Sequence, residues 1–428
     1  MQAKETGALD LRRLLAAVEE APPVDVVRVV AEELGRLLPT EKVRLLLANL
    51  SGTALVRVVE DHFASSRGDV GERRGGGTDE DLTRADSLYT RVLHTQAVEV
   101  SQASGVSQAS GVSQASGVWR VLLPVTERGD AMGILEVTLS ESPDDSTVDL
   151  LRSAAHALAY MLIAARRHTD RFENTQRDIR FSVAAEIQRR LLPSSYTAED
   201  RAVTLAGWLE PAHNVGGDTF DYSIEADDLH VSITDAMGHS VRAALLATLA
   251  VGALRNSRRA YDDLAAQARA AHCSIVEHGQ DSEFVTAQLL RASFSSGLME
   301  IVNAGHPLPY LLRDGRASAL VLAADTPFGI GDSTYSVHRV QLVPGDRLLL
   351  VTDGYLERNT SRVNVEQVLR STRDRHPRQV VQELADHLLE ATGQVLSDDA
   401  TVVCIDWYGK EGVRGATSGA SQFRASSS

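Results

Sequence analysis

The chain has 428 residues, 43% of them hydrophobic, enough for two or three domains with sizeable cores. Its net charge of −15 repels phosphate backbones and argues against a nucleic-acid partner, and its two cysteines, Cys273 and Cys404, form no CxxC pattern and exclude a thiolate zinc site. No uninterrupted apolar run reaches the about 18 residues of a bilayer span and MQAKETGALD lacks the regions of a signal peptide, so a soluble cytoplasmic chain with no membrane partner is expected.

LDLRRLLAAVEE (9–20) and, beyond Pro22-Pro23, VDVVRVVAEELGRLL (24–38) carry apolar residues at helical spacing. VRLLLAN (43–49) and ALVRVVE (54–60) flank the turn LSGT and predict a β-hairpin. Residues 65–81 are polar and glycine-rich, which predicts a loop. SQASGV then occurs three times, at 101–106, 107–112 and 113–118. Three polar copies are too few for a solenoid core, so the repeat is expected to be a loop insertion without a functional signal of its own. WRVLLPVTE (119–127) and AMGILEVTL (131–139) predict strands joined by the turn RGD.

Residues 144–192 contain no proline or glycine and predict a long connector helix with room for one break. Its stripe of Leu150, Leu151, Ala154, Ala157, Leu158 and Met161 fits either packing on its own domain or a homodimer seam. Pro193 ends it. Further strands are predicted at 203–211, 229–235, 284–294, 298–305, 309–318, 335–342, 347–353 and 400–407. Helices are predicted at 240–259, 363–373 and 377–392. Strand hairpins with clustered helices indicate an α+β fold, not a parallel Rossmann sheet. The Ser/Gly/Ala-rich tail from Gly409 is expected to be disordered.

Acids fall where predicted strands begin or end. LHVSITDAMGHS puts Asp235 at a strand end, RLLLVTDGYLE does so for Asp353, and SDDATVVCI sets Asp398 and Asp399 before the last strand. NVGGDTFDY places Asp218 and Asp221 behind two glycines; alone, that stretch reads as a surface turn. In antiparallel sheets one strand's end lies beside its neighbour's start, so these acids can converge on one rim. Crowded carboxylates repel, and a hard divalent cation, Mg²⁺ or Mn²⁺, relieves that with oxygen ligands. Two such ions suit hydrolysis of phosphate esters. There is no HExxH, GxxxxGK[ST] or GxSxG motif.

Seven segments occur in an order that resembles the bacterial metal-dependent (type 2C) serine/threonine phosphatases of the sporulation stage II protein E and sigma-B-regulator type. They are AAEIQRRLLP (184–193), VGGDTFDY (215–222), ITDAMGHSVRAALL (233–246), NAGHPLPYLL (303–312), TPFGI (326–330), LLLVTDGYLE (348–357) and SDDATVV (397–403). Residues 22–165 resemble a GAF sensor domain, most clearly over RVLLPVTERGDAMGILEV. The resulting division is an N-terminal helix (1–21), a GAF-like domain (22–165), a connector or switch helix (166–193), a phosphatase domain (194–408) and a tail (409–428).

The resemblance implies an αββα sandwich with two Mn²⁺ or Mg²⁺ ions at one rim. Asp218 and Asp235 would bind them, Asp218 as a bridge, with the Ala236 carbonyl, Asp353 and Asp398 completing the set. Water between the ions would attack phosphorus in line, without a covalent intermediate. Gly216, Gly217, Gly238 and Gly354 would let the backbone turn tightly beside the ions. Asp399 would either bind metal or order its loop. Asp221 would either steady the ions' water from behind or be a turn residue. Asn303 and His306 would shape the sheet edge, His306 structurally rather than as a proton donor. Thr219, Ser240 and Phe328 depart from the family's usual residues, and none replaces a ligand.

By the same resemblance the substrate would be a phosphoserine or phosphothreonine on an anti-sigma-factor antagonist, carried by a separate chain. AAEIQRRLLP would couple the GAF-like domain, with its small-molecule or protein ligand, to the ions. No cysteine precedes residue 273, which excludes a thioether-linked bilin, and His62 and His94 read as ordinary histidines. Two other readings stay open: a catalytically silent phosphatase-like binding module, and a GAF-type small-molecule sensor.

Overall fold

A computed structural model describes residues 9–49, 54–58, 78–81, 87–103, 118–177, 181–211, 216–238, 240–280, 282–356, 364–393, 396 and 398–410. Most of the predicted 65–81 loop, SQASGV residues 104–117, His62 and the tail beyond residue 410 lie outside the described residues. The chain divides into two compact units between Arg180 and Phe181.

The first unit runs α1 (Leu11–Glu20), α2 (Val26–Leu37), β1 (Thr40–Ala48), β2 (Ala54–Arg57), β3 (Thr78–Asp81), α3 (Leu88–Thr95), β4 (Glu99–Ala103), β5 (Val118–Glu127), β6 (Asp130–Leu139), α4 (Asp145–Ala165) and α5 (Arg171–Gln176). Its strands form one antiparallel sheet in the order β3-β2-β1-β6-β5-β4. Both predicted hairpins, β1–β2 and β5–β6, are present. Period-2 alternation sorts the side chains: Leu45 and Leu47 join the core beneath α1, α2 and α4, while Leu46 packs with Tyr89 and Val92 of α3. Asp144 caps α4 by accepting from the Thr147 N–H at 2.8 Å.

The predicted long connector is three helices. The apolar stripe stops at Ala165; residues 166–171 are Arg, Arg, His, Thr, Asp and Arg, which have nothing to bury. The chain breaks there, and Phe172 of α5 turns back into the first core, fully buried. Ser182 opens the third piece, α6 (Val183–Leu191), by accepting from the Ala185 N–H. α6 belongs to the second unit. α4 also has the length and apolarity of a membrane span, because its polar residues are scattered, but half of that window is buried, so it reads as a core helix.

The second unit continues with β7 (Thr197–Glu199), β8 (Val203–Glu210), β9 (Asp218–Ile224), β10 (Asp228–Ala236), α7 (Ser240–Ala260), α8 (Leu264–His278), β11 (Val285–Ser293), β12 (Leu298–Ala304), β13 (Tyr310–Arg313), β14 (Arg316–Ala319), β15 (His338–Gln341), β16 (Arg347–Val351), α9 (Asp353–Leu356), α10 (Val365–Ser371), α11 (Pro377–Thr392) and β17 (Ala400–Trp407). Two antiparallel sheets form, β15-β12-β11-β10-β9 and β14-β13-β16-β17-β8-β7. Phe220, Ile233 and Ile301 of the first meet Leu205, Leu350 and Val403 of the second in a shared core. The opposite faces carry α7 and α8 on one side and α10 and α11 on the other. The layers are therefore α, β, β, α. The sequence reading did not assign α8, β7, β9 or α9, and it took the β13–β14 hairpin for one strand.

Candidate active site

Strand register builds the site. Asp218 opens β9 directly opposite Asp235 near the end of β10, and Asp235 in turn lies opposite Thr286 of β11. Phe220 and Ile233, two positions along each strand, point into the inter-sheet core, so Asp218 and Asp235 sit on that same face at its rim. The second sheet contributes where β16 ends in Thr352 and Asp353, and where Asp398 and Asp399 lead into β17. The rim thus gathers Asp218, Asp235, Asp353, Asp398 and Asp399 from four segments.

Each carboxylate has a distinct setting. Asp218 is only 3% exposed, and its Oδ2 accepts from the hydroxyls of Thr352 (2.7 Å) and Thr401 (2.8 Å). Asp399 is also buried; its Oδ2 accepts from Gln188 Nε2 (2.6 Å), the Gly217 N–H (3.1 Å) and the Asp218 N–H (3.4 Å). Asp399 therefore ties its loop to α6 and to the turn before β9. Asp398 is exposed and accepts from the Asp399 N–H. Asp353, also exposed, begins α9.

The electrostatics are lopsided. Burial raises Asp218 well above the usual carboxylate range, Asp235 and Asp399 push it further, and the two threonine hydroxyls pull the other way. Asp235 is pushed up to about 7, first by burial and then by Asp353, Asp398 and Asp399. The charges that act most on both are other carboxylates, not lysine or arginine. Among the described residues, no three or more His, Cys, Asp or Glu side chains are arranged so as to hold a metal ion as they stand. The cluster's all-oxygen donors are of the kind that a divalent cation takes.

Two glycines make the crowding possible. A Cβ on Gly354 would lie 2.0 Å from the Asp399 carbonyl oxygen, and one on Gly217 would lie 2.6 Å from the Ala236 carbonyl oxygen. Ala236 donates its N–H back to Gly217 (3.2 Å), which sets its carbonyl beside the rim. Gly238 follows with a φ of +98°, as the strand turns toward α7.

Asp221 needs correcting as a group behind the ions. Odd and even positions of β9 face opposite ways, so Asp221 points toward α7, away from Asp218. There it pairs with Arg255 at 2.9 Å and Arg258 at 3.3 Å. Arg255 also donates to the Leu191 carbonyl at the end of α6 (2.7 Å), so Asp221 helps seat that helix. It is not a bare turn residue either, because it lies inside a strand.

Asn303 is fully buried and accepts from the His306 N–H (2.8 Å). His306 Nδ1 lies 2.8 Å from the Thr286 hydroxyl, next to the acid row. Burial pushes the His306 ring down to about 3, with the Val351 backbone opposing in part, so the imidazole is neutral. Sequence reasoning did not single out Gln188, Thr352, Thr401, Arg255 or Arg258. A usable signal existed for Gln188: it shares the buried face of α6 with Ala184 and Leu191.

Residues 225–408 match the family model described as Stage II sporulation protein E (SpoIIE). The match begins just before β10 and leaves α6 and Asp218 outside it. The chain is similar to the RsbU and RsbW domains of a Mycobacterium tuberculosis protein, at 25% identity over 48% of this chain and 60% of that one, TM-score 0.44. It is similar to the PP2C phosphatase domain with a regulatory fragment of SpoIIE from Bacillus subtilis, at 18% identity over 49% of this chain and 65% of that one, TM-score 0.43. The SiaA-PP2C domain of Pseudomonas aeruginosa matches at 24% identity over 52% of this chain and 94% of that one, TM-score 0.47. The chain thus spans less than two thirds of the first two structures. The matched segment, less than half of this chain, is thus similar to the SpoIIE family, and the Bacillus subtilis structure it resembles is a PP2C phosphatase domain.

Proposed function

We propose that the second unit is a metal-dependent protein phosphatase that hydrolyses phosphoserine or phosphothreonine. One observation carries this: strand register sets Asp218 opposite Asp235 at a sheet rim that the strand ends bearing Asp353, Asp398 and Asp399 also reach. Asp218, Asp235, Asp353, Asp398 and the Ala236 carbonyl are the groups that would hold two Mn²⁺ or Mg²⁺ ions. Such ions, when bound, supply an acidified water and neutralise charge developing on phosphorus. The chain's own part is positional. Strand register holds Asp218 against Asp235, and Asp399 orders the loops around them. Asp353 and Asp398 are the exposed members of the rim.

We extend this reading, by resemblance, to a phosphorylated anti-sigma-factor antagonist as substrate. We read the first unit, an antiparallel sheet with helices on both faces, as a GAF-like sensor whose ligand acts on the second through α6. Support for that coupling is Gln188, which reaches from α6 to Asp399 and the Asp218 carbonyl (2.8 Å). A cytoplasmic homodimer belongs to the same reading.

The test is hydrolysis of p-nitrophenyl phosphate with and without Mn²⁺. Metal-dependent turnover in the wild type and background rates in Asp235→Asn are expected. Mn²⁺ binding without turnover by either protein would favour the silent binding module.

A further inference from the structure

Thr352 and Thr401 are both fully buried, and both spend their hydroxyl protons on the same oxygen of Asp218. They also hold each other: the Thr401 N–H donates to the Thr352 hydroxyl (3.0 Å), and the Thr352 N–H donates to the Thr401 carbonyl (3.1 Å). Buried threonines elsewhere in this unit manage differently. Thr219 and Thr234, on neighbouring strands of the other sheet, hydrogen-bond to one another at 2.5 Å. The Thr352–Thr401 pair instead reaches across the sandwich, from the end of β16 and the start of β17 to the first residue of β9.

We infer that Thr352 and Thr401 are positioning residues that clamp Asp218 through Oδ2 and leave Oδ1 as its oxygen for a divalent cation. This rests on the metal-site reading above. The two hydroxyls take up both lone-pair directions of Oδ2. Asp218 Oδ1 accepts no hydrogen bond among the described residues, so it is the oxygen left for an ion. The clamp also fixes more than one ligand. Thr352 immediately precedes Asp353, and Thr401 lies just beyond Asp398 and Asp399, so a single carboxylate oxygen pins three acid-bearing segments together. In the metal-free protein the same two donors oppose the repulsion from Asp235 and keep Asp218 in place. Partners that orient a ligand in this way typically govern metal affinity by 10–100-fold.

The test is Mn²⁺ affinity by isothermal titration calorimetry on the full chain, which needs no turnover. Thr352→Val and Thr401→Val are each expected to weaken Mn²⁺ binding about 10-fold or more. Thr352→Ser and Thr401→Ser, which keep the hydroxyl, are expected to bind close to wild type. Valine variants that bind as tightly as wild type would overturn the clamp. Serine variants as weak as valine would also overturn it, because the methyl group would then matter and not the hydroxyl. If a valine variant does not fold, alanine at that position is compared with serine to the same end. A wild type that binds no Mn²⁺ overturns the metal reading itself, and this inference with it.

Discussion

The two ends of β16 handle buried charge in opposite ways. At its start, Arg347 is buried and fully partnered. It pairs with Asp406 (2.5 and 2.8 Å) and donates to the Thr372 (2.7 Å) and Arg375 (2.6 Å) carbonyls. That end ties the α10–α11 connection to the sheet. At the other end, Thr352 and Asp353 enter a rim where carboxylates chiefly meet carboxylates. Crowded carboxylates of this kind, in contrast to the paired guanidinium, are where a ligand site is to be sought. The contrast separates a structural ion pair from a site.

Breaking the satisfied end should cost the most stability. Arg347→Ala strands Asp406 and two carbonyls, and is expected to lose about 3–5 kcal/mol in urea unfolding. A loss under about 1 kcal/mol would contradict the pairing described.

At the acid end the sign should reverse. Asp235→Asn relieves the crowding, so the metal-free protein should gain about 1 kcal/mol while losing metal-dependent turnover. Gly354→Ala should also lose turnover, since its Cβ cannot coexist with the Asp399 carbonyl 2.0 Å away. Retained activity there would mean that α9 moves freely, against the packing seen.

Gln188→Ala sharpens the comparison further, because it removes a donor from Asp399 without touching an acid. It should weaken Mn²⁺ affinity about 10-fold, with helix content by circular dichroism unchanged. The smallest effect concerns pH. His306 has its ring lowered from 6.5 to about 3, so the folded state favours the neutral form. Its contribution is therefore fully present above pH 6.5 and is lost progressively as pH falls toward about 3. His306→Asn should flatten the melting temperature over that window, and an unchanged slope would remove His306 as the cause.

Much of the second unit was legible. Alternating apolar residues gave its long strands, and acids at strand ends gave the rim, because register in an antiparallel sheet follows from pattern. The failures have physical reasons. α8 puts Gln267, Ala268, Ala271 and His272 on its buried face, so its period is correct but its hydrophobic signal is faint. Asp221 was misplaced because spacing along the chain says nothing about which face a residue takes until the strand's start is known. The clamp threonines looked like ordinary β-formers; only the fold brings them to Asp218 from 134 and 183 residues away. The connector lacked proline and glycine, yet broke where its apolar stripe ran out.

The proposed phosphatase reading requires divalent cations at this rim. Equilibrium dialysis with Mn²⁺ on the full chain tests it most directly. Two ions bound per wild-type chain, with binding lost or halved in Asp235→Asn, is the predicted result. No saturable binding by the wild type, or equal stoichiometry in the two proteins, would contradict it.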